Sequence, residues 1–211
     1  PSVVDAQVFC TKNPQPMLGR LEHLSAYDMF WFVTITPYDR EIEPFVPPKE
    51  DVIRSFIELS DMVGKERMSW RYDPVFITEK YSVEYHIACF AEMAGIAGAN
   101  RMQINLCCEN QALVRPNVDA DGCLSQRVLE QAIGCGLQVP KKKAGREACS
   151  CLLGADIGVY NTCGHGCLYC YANYDRKSVE ENRKRHDVNS PLLIGHLRET
   201  DFVKEAQQKS F

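Results

Sequence analysis

The sequence lacks several features that would each assign a protein to a well-defined class. No run of about 18 uncharged apolar residues occurs, which excludes a transmembrane helix. No basic and then apolar leader opens the chain, and Pro1 in place of methionine leads us to expect that the true start is missing. Neither a serine, histidine and aspartate arrangement nor a phosphate-binding glycine loop is visible, so the corresponding active sites are not predicted.

The chain also lacks a strong excess of charge of either sign. It has 28 acidic and 24 basic residues, which gives a net charge of −4. A general electrostatic attraction to nucleic acid is therefore not expected, although a local basic patch such as 141–143 leaves a limited contact open. With 45% apolar and 25% charged residues in 211, the composition is that of an ordinary globular protein.

Cysteine is the residue that the chain has in unusual number. The eleven cysteines are an odd count and fall below the roughly 8–10% that marks disulfide scaffolds. Two lie in the first hundred residues and nine in the next seventy, which core packing does not explain. We therefore predict a cytoplasmic protein whose second half uses reduced cysteines as metal ligands.

The first hundred residues alternate between strand-like and helix-like patterns. Strand-like segments begin near residues 3, 29, 67 and 101, and apolar residues recur at helical spacing in 49–63 and 82–96. Such repeated βα units predict a parallel sheet, which is either open and doubly wound or part of a barrel. From Glu109 onward the pattern is irregular, except for a helix predicted over 125–133. We divide the chain into a βα-repeat region, 1–108, and a cysteine-rich region, 109–211, packed on it.

Polar residues follow the predicted strands at the edge where α/β proteins bind their ligands. Lys12 and Asn13 follow the first strand, and Arg71 and Asp73 end the third. We predict Lys12, Arg71 and Asp73 as catalytic residues and Asn13 as a cofactor-binding residue. For Arg71 and Asp73 a substrate clamp and a buried ion pair are both open.

The loop DIGVYNTCGHGCLYCYANY, residues 156–174, carries the most specific signal. Cys163, Cys167 and Cys170 are separated by three and then two residues, so one glycine-containing loop can present three thiolates to a compact metal centre. A zinc site would need a fourth ligand, which His165 could supply only awkwardly. The spacing favours a 4Fe–4S cluster in which one iron has no protein ligand.

This loop resembles the cluster-binding loop of the radical S-adenosylmethionine (radical SAM) superfamily. There the residue before the last cysteine is usually aromatic, as Tyr169 is here. The resemblance implies that Cys163, Cys167 and Cys170 bind the cluster, and that the open iron binds S-adenosylmethionine. It implies reductive cleavage to a 5′-deoxyadenosyl radical, with an electron from a donor such as a flavodoxin or ferredoxin. Tyr169 would neighbour the adenine, and Glu109 would either bind S-adenosylmethionine or cap a loop.

A second resemblance covers almost the whole chain. The strings FCTKNPQPML, TITPYDREIEP, WRYDPVFITEKYS, DIGVYNTCGHGCLYCYANY and NSPLL are similar to domain-of-unknown-function family 1848, a bacterial family with a radical-SAM-like cysteine cluster at its C-terminal end. The resemblance implies a TIM-barrel-like fold, complete or partial, and brings no known substrate. It also leads us to expect a missing segment ahead of Pro1 and another within 98–102.

Four further cysteines match the pattern of that family. Cys107, Cys123, Cys149 and Cys151 would bind a second iron–sulfur cluster or a structural zinc, or are unrelated buried thiols. Cys10 is predicted to lie in the core. The leading hypothesis is a radical SAM-type enzyme of unknown substrate, and the alternatives are an iron–sulfur redox protein without S-adenosylmethionine chemistry and a zinc-stabilised binding protein.

Overall fold

A computed structural model describes residues 4–100, 103–104, 124–139, 151–152 and 154–204. The chain divides into two compact units. Unit 1 contains residues 1–37 and 47–153, and unit 2 contains residues 38–46 and 154–210. The predicted boundary near residue 108 lies outside the described residues. Within them, no helix combines the length and the apolar character needed to cross a membrane.

Unit 1 is built on a parallel sheet with the strand order β1-β2-β3-β4. Strand β2, in the interior of the sheet, is buried at five of its six positions and carries Phe and Trp side chains on its two faces. The parallel pairing confirms the βα repeats that the sequence predicts. The strands are β1 (Gln7–Thr11), β2 (Met29–Thr34), β3 (Met68–Arg71) and β4 (Gln103–Ile104).

Five α-helices occur in the described part of the chain, four in unit 1 and one in unit 2. Two short 3₁₀ turns, Leu21–Leu24 and Lys65–Arg67, also lie in the described part of unit 1. The helices are α1 (Gln15–Leu18), α2 (Lys49–Val63), α3 (Val83–Ala99), α4 (Gln126–Ile133) and α5 (Arg176–Arg185).

Helix α2 begins and ends where its sequence predicts. Pro48 precedes it, and the acidic residues of its first turn stabilise the helix by interacting with the positive end of its dipole. Val52, Phe56 and Leu59 recur at helical spacing and are buried. Gly64, at a φ of +93°, terminates the helix because that backbone conformation strains residues with a side chain.

Helix α4 is also correctly predicted, down to its cap. The Ser125 hydroxyl accepts a hydrogen bond from the Val128 N–H at 3.3 Å, which satisfies one unpaired donor of the first turn. Val128, Leu129 and Ala132 are buried on one side of the helix. They pack against the Phe30 and Phe32 side of β2 and so cover one face of the sheet.

The prediction of a TIM-barrel-like fold is wrong. The sheet is open, with β1 and β4 as its two edges, and no barrel closes within the described residues. The physical reason lies in the packing. Helix α4 covers the face that carries Phe30 and Phe32, whereas α2 and α3 line a cavity against Trp70 on the opposite face. A barrel needs one face of its sheet for an interior enclosed by strands, but here helices cover both faces.

Candidate metal centre

The cysteine loop lies in unit 2, and Asn161 holds its two ends together. The Asn161 backbone N–H donates to the Ala172 carbonyl at 2.8 Å, and its side-chain oxygen accepts from the N–H groups of Tyr174 and Asp175. The Asn182 amide of α5 donates to the Asn161 carbonyl at 3.0 Å. Asn161 is buried at a φ of +56°, a conformation that asparagine tolerates better than most residues.

Asn173 contacts the loop at two of its cysteines. Its side-chain oxygen accepts from the Cys163 N–H at 3.0 Å, and its side-chain amide donates to Cys170 Sγ at 3.3 Å. The Cys170 N–H also donates to the Cys167 carbonyl at 3.0 Å. The two Asn173 bonds therefore link Cys163 and Cys170, the first and last cysteines of the loop, and one of them donates an N–H to the Cys170 sulfur.

The three thiols differ in exposure. Cys163 is exposed and lies 3.4 Å from His165 Nδ1, whereas Cys167 and Cys170 are partly buried. A histidine N–H at this position can donate to a negatively charged sulfur. The loop therefore combines one accessible thiol with two that the protein partly shields.

Residues 38–46 of the same unit form a support for the loop. The Phe45 N–H donates to the His165 carbonyl at 3.1 Å, and the Leu168 N–H donates to the Ile42 carbonyl at 3.0 Å. Gly166 lies against the Phe45 ring at a φ of +66°, and a Cβ there would be 3.0 Å from a Phe45 ring carbon. Glycine at position 166 therefore permits both the turn and the close approach of the ring.

A buried carboxylate anchors the aromatic residue of the loop. Glu43 is 1% exposed and accepts a hydrogen bond from the Tyr169 hydroxyl, and the Tyr38 ring lies 6.0 Å from the Tyr169 ring. Burial, and then the hydrogen bond and charge of Glu43, raise the pKa of Tyr169 far above its usual value, and Cys167 raises it further. Tyr169 is therefore a neutral donor whose ring orientation is fixed by Glu43.

The donor residues of the loop are three cysteines, the residue type that iron–sulfur clusters use as ligands. Among the residues that the structure describes, no group of three or more His, Cys, Asp or Glu side chains is arranged to hold one metal ion. An iron–sulfur cluster makes a different demand, since each cysteine binds a different iron atom. Three cysteines within eight residues, with an amide N–H donated to one sulfur, are the ligands and the hydrogen bond that such clusters use.

Comparison with known proteins places the chain in a family. The family model described as Domain of unknown function (DUF1848) matches residues 1–96 and 88–172. The chain belongs to this family. No curated protein matches the DUF1848 chain, and no solved structure matches it either.

Four other predicted site residues of the DUF1848 chain lie at the carboxyl edge of the sheet in unit 1. Lys12 Nζ donates to the Thr36 hydroxyl at 3.1 Å. The Asn13 side chain accepts from the Gln15 N–H at the start of α1. Arg71 and Asp73 form an ion pair at 3.0 Å whose side chains are 43% and 58% exposed, so it is a surface pair rather than a buried one.

The predicted second cysteine set falls mostly outside the described residues. Cys107, Cys123 and Cys149 lie there, as does Glu109. Cys151 is described and is partly buried, beside Leu152, whose N–H donates to the Leu124 carbonyl at 2.8 Å. None of the seven described cysteines forms a disulfide. Cys10, predicted in the core, is exposed because it lies on edge strand β1.

Sequence reasoning missed the residues that support the loop. Glu43 lies between the second predicted strand and the helical segment 49–63, where no site residue is predicted, and its contact with Tyr169 spans 126 positions. Asn161 and Asn173 lie inside the motif, but asparagine carries no metal-ligand signal. The available signal was the pair of asparagines that flank the cysteines at nearly equal distances, two residues before Cys163 and three after Cys170.

Proposed function

We propose that this DUF1848 chain is a cytoplasmic iron–sulfur enzyme of the radical SAM type that acts on a substrate not yet identified. One observation carries the proposal. Cys163, Cys167 and Cys170 lie on one loop that Asn161 closes and that Asn173 links through both a backbone group and a sulfur. A loop built in this way presents three thiolates with little conformational freedom, which favours binding of a cluster.

The three cysteines would each ligate one iron and leave a fourth iron open to the amino and carboxylate groups of S-adenosylmethionine. A reduced cluster held by these three cysteines would supply the electron for cleavage of S-adenosylmethionine and thus for removal of a hydrogen atom from the substrate. Asn173 donates its amide N–H to Cys170 Sγ and thereby stabilises negative charge on that sulfur.

Tyr169 would form one wall of the site for the adenine of S-adenosylmethionine. Its hydroxyl donates to Glu43, so the ring is held in one orientation at the position that precedes Cys170 in the chain. A fixed aromatic ring can pack against a base without losing further side-chain freedom on binding. The carboxylate of Glu43 acts through Tyr169 and is therefore a positioning residue.

We keep two further proposals at the remaining predicted sites. Cys107, Cys123, Cys149 and Cys151 would hold an auxiliary iron–sulfur cluster that relays an electron or binds substrate. Lys12, Arg71 and Asp73 would be catalytic residues and Asn13 would bind the cofactor, because ligands of open α/β sheets bind at the carboxyl ends of the strands. Glu109 would bind S-adenosylmethionine.

Metal analysis tests the proposal directly. Protein reconstituted anaerobically with iron and sulfide should hold roughly four to eight irons per chain if one or two clusters form. Cys163→Ala, Cys167→Ala and Cys170→Ala should each lose about four of them, whereas Cys135→Ala, at an exposed cysteine outside both sets, should lose none. If metal analysis instead finds zinc and no iron, the chain is a zinc-stabilised binding protein and the proposal is wrong.

A second experiment distinguishes a radical SAM-type enzyme from an iron–sulfur electron carrier. The reduced holoprotein is incubated with S-adenosylmethionine, and 5′-deoxyadenosine is quantified by chromatography. The enzyme should release it, and Cys163→Ala should not. A wild-type chain that assembles its cluster but forms no 5′-deoxyadenosine would be an iron–sulfur redox protein.

A further inference from the structure

A cavity of about 380 Å³ lies in unit 1, where the segment that follows β3 meets the first half of α3. Its less exposed side is formed by the rings of Tyr72, His86 and Phe90. The Tyr72 ring is nearly perpendicular to the other two, with its centroid 5.9 Å from that of His86 and 5.4 Å from that of Phe90. Edge-to-face packing of this kind is favourable, so one wall of the cavity is preformed.

Hydrogen bonds hold two of these rings in place. His86 Nε2 lies 3.1 Å from the Phe76 carbonyl oxygen, which can only accept, so this nitrogen carries a hydrogen and donates it. In the neutral imidazole Nδ1 then accepts from the Tyr72 hydroxyl at 2.8 Å. Because these polar groups bond to each other and to the backbone, nearly all of the accessible surface of the cavity is apolar. The cavity therefore suits a hydrocarbon group.

The more exposed side of the cavity consists of aliphatic side chains from two parts of the chain. Val75 and Ile77 lie in the segment before α3, and Val83 and Ile87 lie one turn apart on α3. Each of the four is more than half exposed. Exposed apolar side chains grouped around a cavity are typical of binding sites.

The size of the cavity favours a small molecule over a protein partner. Ligand cavities measure roughly 300–1,000 Å³. Since a cavity of about 150 Å³ holds one benzene molecule, this one has room for roughly two to three such rings. A standard protein interface uses roughly 20–30 residues on each side. Among the described residues, only four large aliphatic side chains are exposed around this cavity.

The cavity lies at the edge of the sheet where ligands of open α/β proteins bind. Tyr72 directly follows β3, and its neighbours in the chain are Arg71 and Asp73, both proposed above as catalytic. We propose that this cavity binds the apolar part of the substrate, an aromatic or aliphatic group of roughly two to three benzene rings in size. The proposal rests on the proposed function, because it names the class of substrate on which that enzyme acts.

The test uses N-phenyl-1-naphthylamine, a neutral three-ring dye whose fluorescence rises in an apolar site, titrated into the full chain. Ile87→Glu places a carboxylate at the cavity, and Ala91→Phe fills part of it without adding charge. Met62→Glu is the matched control, because Met62 is an exposed apolar residue of α2 in the same unit that does not line the cavity. Circular dichroism verifies the fold of each variant, and analytical ultracentrifugation gives its oligomeric state.

We expect the wild type to bind the dye, and Ile87→Glu and Ala91→Phe to bind it at least about tenfold more weakly, since a charge or a bulky ring takes the place of the apolar ligand. Met62→Glu should match the wild type. A folded wild type that does not bind the dye would overturn the proposal, as would equal affinity in both cavity variants. A wild-type dimer that Ile87→Glu dissociates would also overturn it, because the cavity would then be an interface between two copies.

Iron analysis of the reconstituted chain separates this proposal from the proposed function. If no cluster assembles but the dye binds as expected, the proposed function fails and the apolar binding site stands. If the cluster assembles and 5′-deoxyadenosine is released but the dye does not bind, the proposed function stands and the apolar site is wrong.

Discussion

Gly166 occupies a position at which a side chain would conflict with its surroundings in two ways. Its φ of +66° is unfavourable for residues with a Cβ, and the Phe45 ring fills the space that the Cβ would need. This single residue therefore connects the turn of the cysteine loop to the supporting segment 38–46 of the same unit. The need for glycine at position 166 can be tested with variants that separate the backbone strain from the contact with the Phe45 ring.

We expect Gly166→Ala to destabilise the loop by about 1–2 kcal/mol through backbone strain, with a further loss from the displaced Phe45 ring. Iron retained after reconstitution should fall accordingly. The double variant with Phe45→Ala should recover part of the iron, since it removes the contact but not the strain. Gly154→Ala, in the same unit and with open space around it, should retain wild-type iron.

Asn173 allows its two hydrogen bonds to be tested apart. Asn173→Asp keeps an oxygen for the Cys163 N–H but replaces the N–H donor to Cys170 Sγ with a negative charge. We therefore expect the cluster to assemble in Asn173→Asp with a lower reduction potential, because a hydrogen bond to sulfur favours the reduced state. Asn173→Ala removes both hydrogen bonds, so in this variant we expect less iron to be bound as well. An unchanged potential in Asn173→Asp, measured by EPR-monitored titration, would contradict this assignment.

At the scale of elements, α4 shows how one helix decides the architecture. Its cap, its buried side and its end follow from local sequence, but its packing on Phe30 and Phe32 excludes a barrel interior on that face. Ser125→Ala should lower the free energy of unfolding by about 1 kcal/mol, because a buried N–H at the first turn loses its acceptor. Urea denaturation measures this change.

Ser125→Gly is the matched variant for the cap. Glycine is itself tolerated at the N-cap and costs only a few tenths of a kcal/mol relative to serine. A loss as large as that of Ser125→Ala would show that the hydroxyl stabilises unit 1 in some way other than capping.

Glu130 gives α4 a pH-dependent contribution to stability. Hydrogen bonds from the Leu137 N–H and then from the Gln126 amide lower the pKa of its carboxyl below 4.5. A carboxyl whose pKa is lower in the folded state stabilises the fold above its unfolded pKa, and this contribution is lost as pH falls through the folded value. Glu130→Gln should therefore have a lower free energy of unfolding than the wild type in urea denaturation at pH 7. The difference in this free energy should shrink below pH 4.5. A constant difference would contradict the assignment.

At the scale of the whole molecule, the parts predicted correctly are those that depend on neighbouring residues. The bounds of α2 follow from apolar spacing and from Gly64, and the bounds of α4 follow from Ser125 and its apolar residues. Closure of the sheet could not be predicted, because βα repeats allow helices on one face or on both. The contact of Glu43 with Tyr169 joins residues 126 positions apart, and no local sequence pattern predicts it.

The central claim is that the loop of Cys163, Cys167 and Cys170 holds a cluster with one iron open to S-adenosylmethionine. The most direct test is the EPR spectrum of the reduced, reconstituted chain before and after S-adenosylmethionine is added. We predict that the signal shifts on addition, because the amino and carboxylate groups bind the open iron. A cluster whose signal is the same with and without S-adenosylmethionine would contradict the account.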